Sequence, residues 1–457
     1  MESVKTGRRA FLATAAALGA TGLIGPFPGR AAGAAEGGML APRPPMGWNS
    51  WNSFATTINE AQSREIAAIQ AAKLLPFGYD IFTVDIQWYE PEASSYTYNA
   101  KPVPVMDGHG RLLPAPNRFP SSAGGKGFAP LADAVHALGL KFGIHLMRGI
   151  PRLAVERNLP ILGTHVRAAD IANKNSVCSW NPDMYGVDMT KPGAQAYYDG
   201  VFRLYASWGV DLIKMDDMSR PYDEHILEIE AAHKAIQNCG RPIILSLSPG
   251  ETPVAQGEHV ARHAQMWRIS DDFWDEWKML EAQFDRLDKW TPFRRPGAWP
   301  DADMLPLGRL SLGERDSRFT PDEQQTLMTL WSIARSPLIM GGDLRHLDAA
   351  TLALLTNPEV LAVNQASSGN KTVPTGTPGH IAWTAQPESG PGRYLALFNI
   401  TGAKADVSLD PAALGLSGPL ALRDLWARRD LGAINGPLRT SLPAHGAALY
   451  CLSPTKG

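Results

Sequence analysis

The chain has 457 residues and nearly balanced charge, with 43 Lys+Arg against 45 Asp+Glu and a formal net charge of -2. That balance offers no basic patch and excludes nucleic acid and anionic membrane surfaces as expected partners. Apolar residues make up 44% of the chain, enough for a large core, and the length allows about two to three domains.

Residues 1–34 read as an export signal. Arg8 and Arg9 are followed by Phe11 and Leu12, then by an Ala-rich apolar stretch to about Ile24, and Ala32-Gly33-Ala34 offers a small-residue cleavage site. The paired arginines favour the twin-arginine route. No later stretch is apolar enough to span a membrane, so the mature chain is expected to be soluble and exported, in the periplasm or the medium. Cys178, Cys239 and Cys451 are too few and too widely spaced for a disulfide framework or a metal site.

Eight apolar runs with strand character follow: Pro45–Trp51, Tyr79–Trp88, Lys141–Met147, Val210–Asp216, Pro242–Ser248, Met266–Asp272, Trp299–Leu305 and Pro337–Met340. Helical spacing marks Glu60–Leu75, Phe128–Leu138, Gly193–Trp208 and Pro321–Ala334. Near-continuous apolar strands alternating with helices imply a parallel sheet. Eight of them imply a closed (β/α)8 TIM barrel over residues 40–358. Near Pro358 the pattern changes to short alternating segments with Gly, Pro and Asn turns: Tyr394–Ile400, Asp406–Leu409, Leu420–Ala427 and Leu438–Leu452. These predict a small all-β antiparallel sandwich over residues 375–455, joined to the barrel by the turn-rich Gly369–Gly379.

Catalytic groups of such barrels stand at the C-terminal ends of the strands. Three runs end in charge: VDIQW (Val84–Trp88), IKMDD (Ile213–Asp217) and MWRISDD (Met266–Asp272). Side chains alternate along a strand. Ile213 and Met215 suit the helix-facing side, which turns Lys214 and Asp216 towards the barrel mouth and selects Asp216 over Asp217. The same alternation puts Asp85 with Thr83, and Arg268 with Ser270 and Asp272, on the mouth side. Three carboxylates and two cations then converge on one cavity. A carboxylate pair without a His cluster suits glycoside hydrolysis, in which one carboxylate attacks or activates water and the other protonates the leaving oxygen. Lys214 would keep its neighbour ionised. The competing explanation is a set of buried structural ion pairs, Lys214 with Asp216 and Arg268 with Asp272. His145 ends the third strand and is a weaker candidate. No cofactor fingerprint is found and no metal-type His cluster accompanies these carboxylates, so no cofactor and no metal is expected.

Four ordered motifs resemble glycoside hydrolase family 27, the family of α-galactosidases and α-N-acetylgalactosaminidases. They are PPMGWNSWNSF (Pro44–Phe54), LIKMDD, WRISDDFWDEW (Trp267–Trp277) and PGAWPDADMLPLG (Pro296–Gly308). The resemblance implies a retaining exo-glycosidase for a terminal α-D-galactosyl or related carbohydrate. It implies Asp216 as nucleophile and Asp272 as acid/base. Trp51 would lie against the sugar, Asp85, Lys214 and Arg268 would hold its hydroxyls, and Asp303 would line the pocket. Three positions depart from the family pattern. Ile86 stands where a second aspartate commonly follows Asp85, His145 where a Tyr is common, and Ser248 near the place of a Glu that reads the 2-hydroxyl. Ile86 favours a pentose, β-L-arabinopyranose; Ser248 favours N-acetylgalactosamine. A non-catalytic sugar-binding barrel is the alternative from another class.

Overall fold

The structure, a computed structural model, describes residues 38–455. The expected export signal lies outside the described residues.

All eight apolar runs become parallel strands of one sheet; Lys141–Met147 keeps its full length and the other seven are shorter than the runs that announced them. They are β1 (Met46–Asn49), β2 (Ile81–Val84), β3 (Lys141–Met147), β4 (Leu212–Asp216), β5 (Ile244–Leu247), β6 (Met266–Arg268), β7 (Trp299–Asp301) and β8 (Leu338–Met340). They pair in chain order, and β8 returns to β1 through Met46 opposite Leu338. The chain just after β7 completes the ring: Leu305 N donates to Ile339 O at 2.8 Å, and Gly341 N donates to Leu305 O at 3.0 Å. Gly47 shows how close the ring is at β1, since a Cβ there would stand 2.3 Å from Ile81 O.

Among the described residues, helices alternate with the strands, including α1 (Glu60–Lys73), α2 (Ala129–Ala137), α3 (Ala194–Ser207), α4 (Tyr222–Asn238), α5 (Gly257–His263), α6 (Trp277–Trp290), α7 (Pro321–Ala334) and α8 (Pro358–Gln365). Start signals are local. Asn59 caps α1 with Gln62 returning the bond, and Thr320 caps α7 with Glu323, ahead of Pro321.

Strand alternation sorts two cores. Ile81, Leu212, Ile244, Met266, Trp299, Met304 and Ile339 fill the barrel interior. Phe82, Phe142, Ile213, Met215 and Trp267 face the helices in the larger cluster. Fully burying a Phe or Ile side chain contributes about 1.5–3 kcal/mol, and the interior layer closes the barrel floor beneath the mouth. After β3 the chain inserts a small antiparallel sheet from Ile150–Pro151, Ala172–Val177 and Met184–Val187.

The C-terminal part is antiparallel. A six-stranded sheet runs in the order β9 (Ser367–Val373), β10 (His380–Pro387), β11 (Arg393–Asn399), β16 (Ala447–Pro454), β13 (Leu420–Asp424), β14 (Arg429–Ile434); β12 (Ala405–Leu409) pairs with β15 (Leu438–Leu442). Leu395, Leu397, Val407, Leu409, Leu422 and Leu452 pack between the two layers. The expected linker Gly369–Gly379 is corrected here: its first half is strand β9, pairing with β10 through Val373 opposite Ala382. The sandwich therefore starts before residue 375, and helix α8 lies between the last barrel strand and β9.

Candidate active site

The C-terminal ends of the strands enclose a cavity of about 350 Å³ lined by Trp51, Asp85, Ile86, Tyr98, Trp180, Lys214, Asp216, Asp217, Arg220, Asp271 and Asp272, among others. A larger cavity of about 480 Å³ lies elsewhere, between α7 and Trp426. Its carboxylates are already engaged: Asp316 with Arg309 at 3.3 Å, and Asp348 as a helix cap. The chemistry therefore belongs to the smaller cavity.

Lys214 on β4 is the electrostatic centre. Its Nζ donates to Asp85 Oδ2 at 2.9 Å and stands 3.9 Å from Asp216 Oδ1. Asn49 Nδ2 also donates to Asp85 Oδ2 at 2.8 Å, and Ile86 N donates to Asp85 Oδ1 at 2.7 Å. Both Asp85 oxygens are thus held from beneath. His145 Nε2 stands 2.8 Å from Asp216 Oδ2, but the contact lies off the line of a hydrogen bond. Oδ1 of Asp216 is buried and accepts from no donor among the described residues. Burial alone would raise the Asp216 pKa. Lys214 above all, then His145 and Ser248, outweigh burial and hold it well below the usual carboxylate range. Burial raises the Asp85 pKa as well, and Lys214 and His145 bring it below its ordinary value.

The two neighbours in the Asp216–Asp217 pair live in different surroundings. Asp216 ends the β4 ladder, paired with Met147. Asp217 turns away with φ +63°, and Arg148 clamps its carboxylate at 2.7 and 3.1 Å while reaching Glu228 at 2.6 Å. Burial pushes the Asp217 pKa up despite that guanidinium. Asp271 and Asp272 differ too. Asp271 is exposed and paired with Arg220 at 2.8 and 3.0 Å. Asp272 is 54% exposed at the mouth, with Oδ1 accepting from Arg268 Nη2 at 3.2 Å.

Several expected contacts lie behind the cavity wall rather than on it. Arg268 is buried and bridges Asp272 and Asp303, the latter at 2.9 Å. Asp303 is likewise buried, and its carboxylate accepts from Phe273 N and Met304 N at 2.8 Å. It braces the segment carrying Asp272 and does not line the pocket. His145 and Ser248 are buried beside Asp216, beneath the surface. Ser270 was expected on the mouth side with Arg268; instead its Oγ accepts from Gln283 of α6 at 2.8 Å. The reason is that β6 ends at Arg268, so alternation no longer applies two residues later. Behind Arg268, burial and then Asp303 push the Asp301 pKa up to about 7.

Sequence reasoning missed the outer wall. Tyr98 and Trp180 meet at 5.8 Å between ring centroids, and Trp180 is 37% exposed at the cavity. Both sit in long irregular segments without periodicity. Asn49, inside the opening motif, also belongs to the site: strand pairing places it opposite Thr83, two residues before Asp85.

The profile of an α-galactosidase A domain matches residues 183–366, and that of the α-galactosidase C-terminal β-sandwich matches residues 377–452. An α-galactosidase of Coffea arabica is 30% identical over 90% of this chain and 94% of its own length. A β-L-arabinopyranosidase of family 27 from Geobacillus stearothermophilus, solved with arabinose bound, is 50% identical; the match covers 91% of this chain and 98% of that one, with TM-score 0.89. The chain belongs to glycoside hydrolase family 27. A family 27 chain is a retaining glycoside hydrolase, and its substrate is a carbohydrate. A Bacillus halodurans protein proposed to be an α-N-acetylgalactosaminidase is 44% identical over 92% of this family 27 chain and all of its own, with TM-score 0.82.

Proposed function

We propose that Asp216 is the nucleophile and Asp272 the acid/base of a double displacement. The supporting observation is Asp216: it lines the cavity that Asp272 shares, Lys214 holds it ionised, and its buried Oδ1 accepts from no donor among the described residues. Asp216 attacks the anomeric carbon and forms a covalent glycosyl-enzyme while Asp272 protonates the departing oxygen; Asp272 then takes a proton from the hydrolytic water. Asp85 and Lys214 receive and donate bonds to sugar hydroxyls, and Trp51 offers an apolar face to the ring. Partial exposure suits Asp272 for exchanging its proton with leaving group and water.

The sugar we propose is a terminal pyranose with α-D-galactose ring stereochemistry, with the pentose β-L-arabinopyranose preferred over the hexose. Ile86 supports that preference. It is buried at 1% exposure, yet it lines the cavity directly after Asp85. An isoleucine there offers no acceptor to an exocyclic hydroxyl, which costs a hexose roughly 1–3 kcal/mol and costs a pentose nothing. The half-identical Geobacillus arabinopyranosidase supports the same reading, and the α-galactosidase relatives support turnover of the hexose as a second activity. Side-by-side kcat/KM values on nitrophenyl β-L-arabinopyranoside, α-D-galactoside and α-N-acetylgalactosaminide test it. The pentoside should lead, and Ile86→Asp should shift the ratio towards the galactoside by about tenfold. A ratio unmoved by that change removes Ile86 from sugar selection.

We also propose that the chain is exported through the twin-arginine route, supported by Arg8, Arg9 and the following apolar segment. Loss of extracytoplasmic enzyme on replacing both arginines by lysine is the expected result, and unaltered export would refute it.

A further inference from the structure

Two helices on the outside of the barrel bring three metal-type ligands together. His259 and His263 are four residues apart on α5 and share one face of it. Glu230 comes from the neighbouring α4. One ligand atom from each of the three lies within 4.8 Å of the others, and Glu230 Oε1 is 3.2 Å from His259 Nε2. Ligand bonds of about 2.0–2.1 Å in tetrahedral geometry put donors roughly 3.3 Å apart, so this pair already has the required separation. Small side-chain rotations bring the third atom in. None of the three lines the active-site cavity.

The surroundings of the imidazoles carry the inference further. His263 Nδ1 lies 2.8 Å from the carbonyl oxygen of His259, to which it donates, and this tautomer leaves Nε2 with a free lone pair. His259 Nδ1 lies 2.8 Å from the Tyr222 hydroxyl. When that Nδ1–H donates to the Tyr222 oxygen, Nε2 is again the free atom and points at Glu230. Metal-bound histidines are held in this way, with the second nitrogen donating to a carbonyl or other oxygen that fixes ring and tautomer. The rings of His259 and His263 lie 4.2 Å apart.

We propose that Glu230, His259 and His263 form a binding site for one Zn²⁺-class divalent ion, with water in the fourth position, that ties α4 to α5. Binding replaces the hydrogen bond between His259 Nε2 and the Glu230 carboxylate: the ring proton moves to Nδ1, where the Tyr222 oxygen accepts it, and Nε2 and the carboxylate both turn to the ion. The ion is supplied by the medium, and the step needs no other reactant.

Titration of the full-length chain with Zn²⁺ by calorimetry, and with Co²⁺ by visible absorption, tests the site. The expected results are one ion per chain, an intense four-coordinate Co²⁺ spectrum and a higher melting temperature with Zn²⁺. Glu230→Gln, a half-exposed and conservative change, should weaken binding at least about tenfold, and Tyr222→Phe should weaken it by a similar factor through loss of the oriented tautomer. His263→Ala should abolish the Co²⁺ spectrum. Glu230→Gln should retain glycosidase turnover, which separates ligand loss from misfolding. No stoichiometric binding overturns the proposal and leaves a Glu230–His259 ion pair only. Equal affinity in wild type and Glu230→Gln also overturns it, because the ion then sits elsewhere.

Discussion

Replacing Lys214 by Met separates the electrostatic role of this residue from its bulk. Nζ lies 2.9 Å from Asp85 Oδ2 and 3.9 Å from Asp216 Oδ1. At an effective dielectric constant near 20, the longer contact alone is worth about 4 kcal/mol to ionised Asp216. One pH unit corresponds to about 1.4 kcal/mol, so removing the cation should raise the acid limb of kcat/KM by up to about three pH units. Solvent reaching the partly accessible ammonium makes that an upper bound. Asp85 and Asp216 also lose the charge that lets both ionise side by side, and one of them should take up a proton. Breaking a buried pair of this kind costs about 3–5 kcal/mol of stability near neutrality. The sign follows from linkage. Asp216 has a depressed folded-state pKa, so its contribution to stability is present above the unfolded pKa and fades as pH falls through the folded value. Lys214→Met should therefore lose most stability near neutrality and little at low pH. The assays are a pH–rate profile on an activated aryl glycoside and thermal unfolding across the same pH range. An acid limb that stays where the wild type has it would refute the claim that Lys214 keeps the nucleophile charged.

Asp216→Asn should keep the fold and lose nearly all turnover, whereas Asp217→Asn should retain turnover and lose about 1–3 kcal/mol of stability as Arg148 keeps Glu228 but loses one of its two charged partners; the reverse pattern in kinetics and unfolding would exchange their roles. Asp272→Ala should slow substrates with basic leaving groups by about 10²–10⁴-fold and spare activated aryl glycosides in the first step. Equal losses on both would exclude general acid catalysis by Asp272. Asp301, with a folded pKa of about 7 against about 3.9 unfolded, binds its proton more tightly when folded, so it opposes stability increasingly as pH rises from about 4 to 7. Asp301→Asn should flatten that decline by an amount of order a few kcal/mol, and parallel stability–pH curves for mutant and wild type would show that Asp301 is ionised throughout.

What the sequence disclosed and what it hid follow from the same rule: periodicity is legible only where burial is apolar and the ladder is continuous. The barrel strands were legible because both faces are buried, one against Leu212, Ile244 and Met266 inside, the other against the helices. Helix α4 is not among the expected helices; two of its buried positions are polar, His225 and Glu228, the latter held by Arg148. Strand β9 reads as a turn because Ser367, Gly369 and Asn370 are polar or small. It lies at the edge of its sheet, where Asn370 Nδ2 donates to Ile333 O of α7 in place of apolar packing. Asp85, Lys214 and Asp216 could be assigned to the mouth because β4 persists as far as Asp216 and β2 ends just before Asp85. Ser270 could not, because β6 stops at Arg268. Asp303 could not either: its φ of +83° leaves the extended region altogether. The wall built by Tyr98 and Trp180 left no trace in the sequence, because loop residues obey no period. The same limit explains the adjacent aspartates at the end of β4. Asp216 is the last residue to which alternation applies, and Lys214 lies on its face. Asp217 is the first residue beyond the ladder, where the backbone turns and Arg148 receives its carboxylate. One peptide bond thus separates a carboxylate held ionised and open to the cavity from one consumed in fixing the loop between β4 and α4, and the end of the strand ladder is what divides their chemistry.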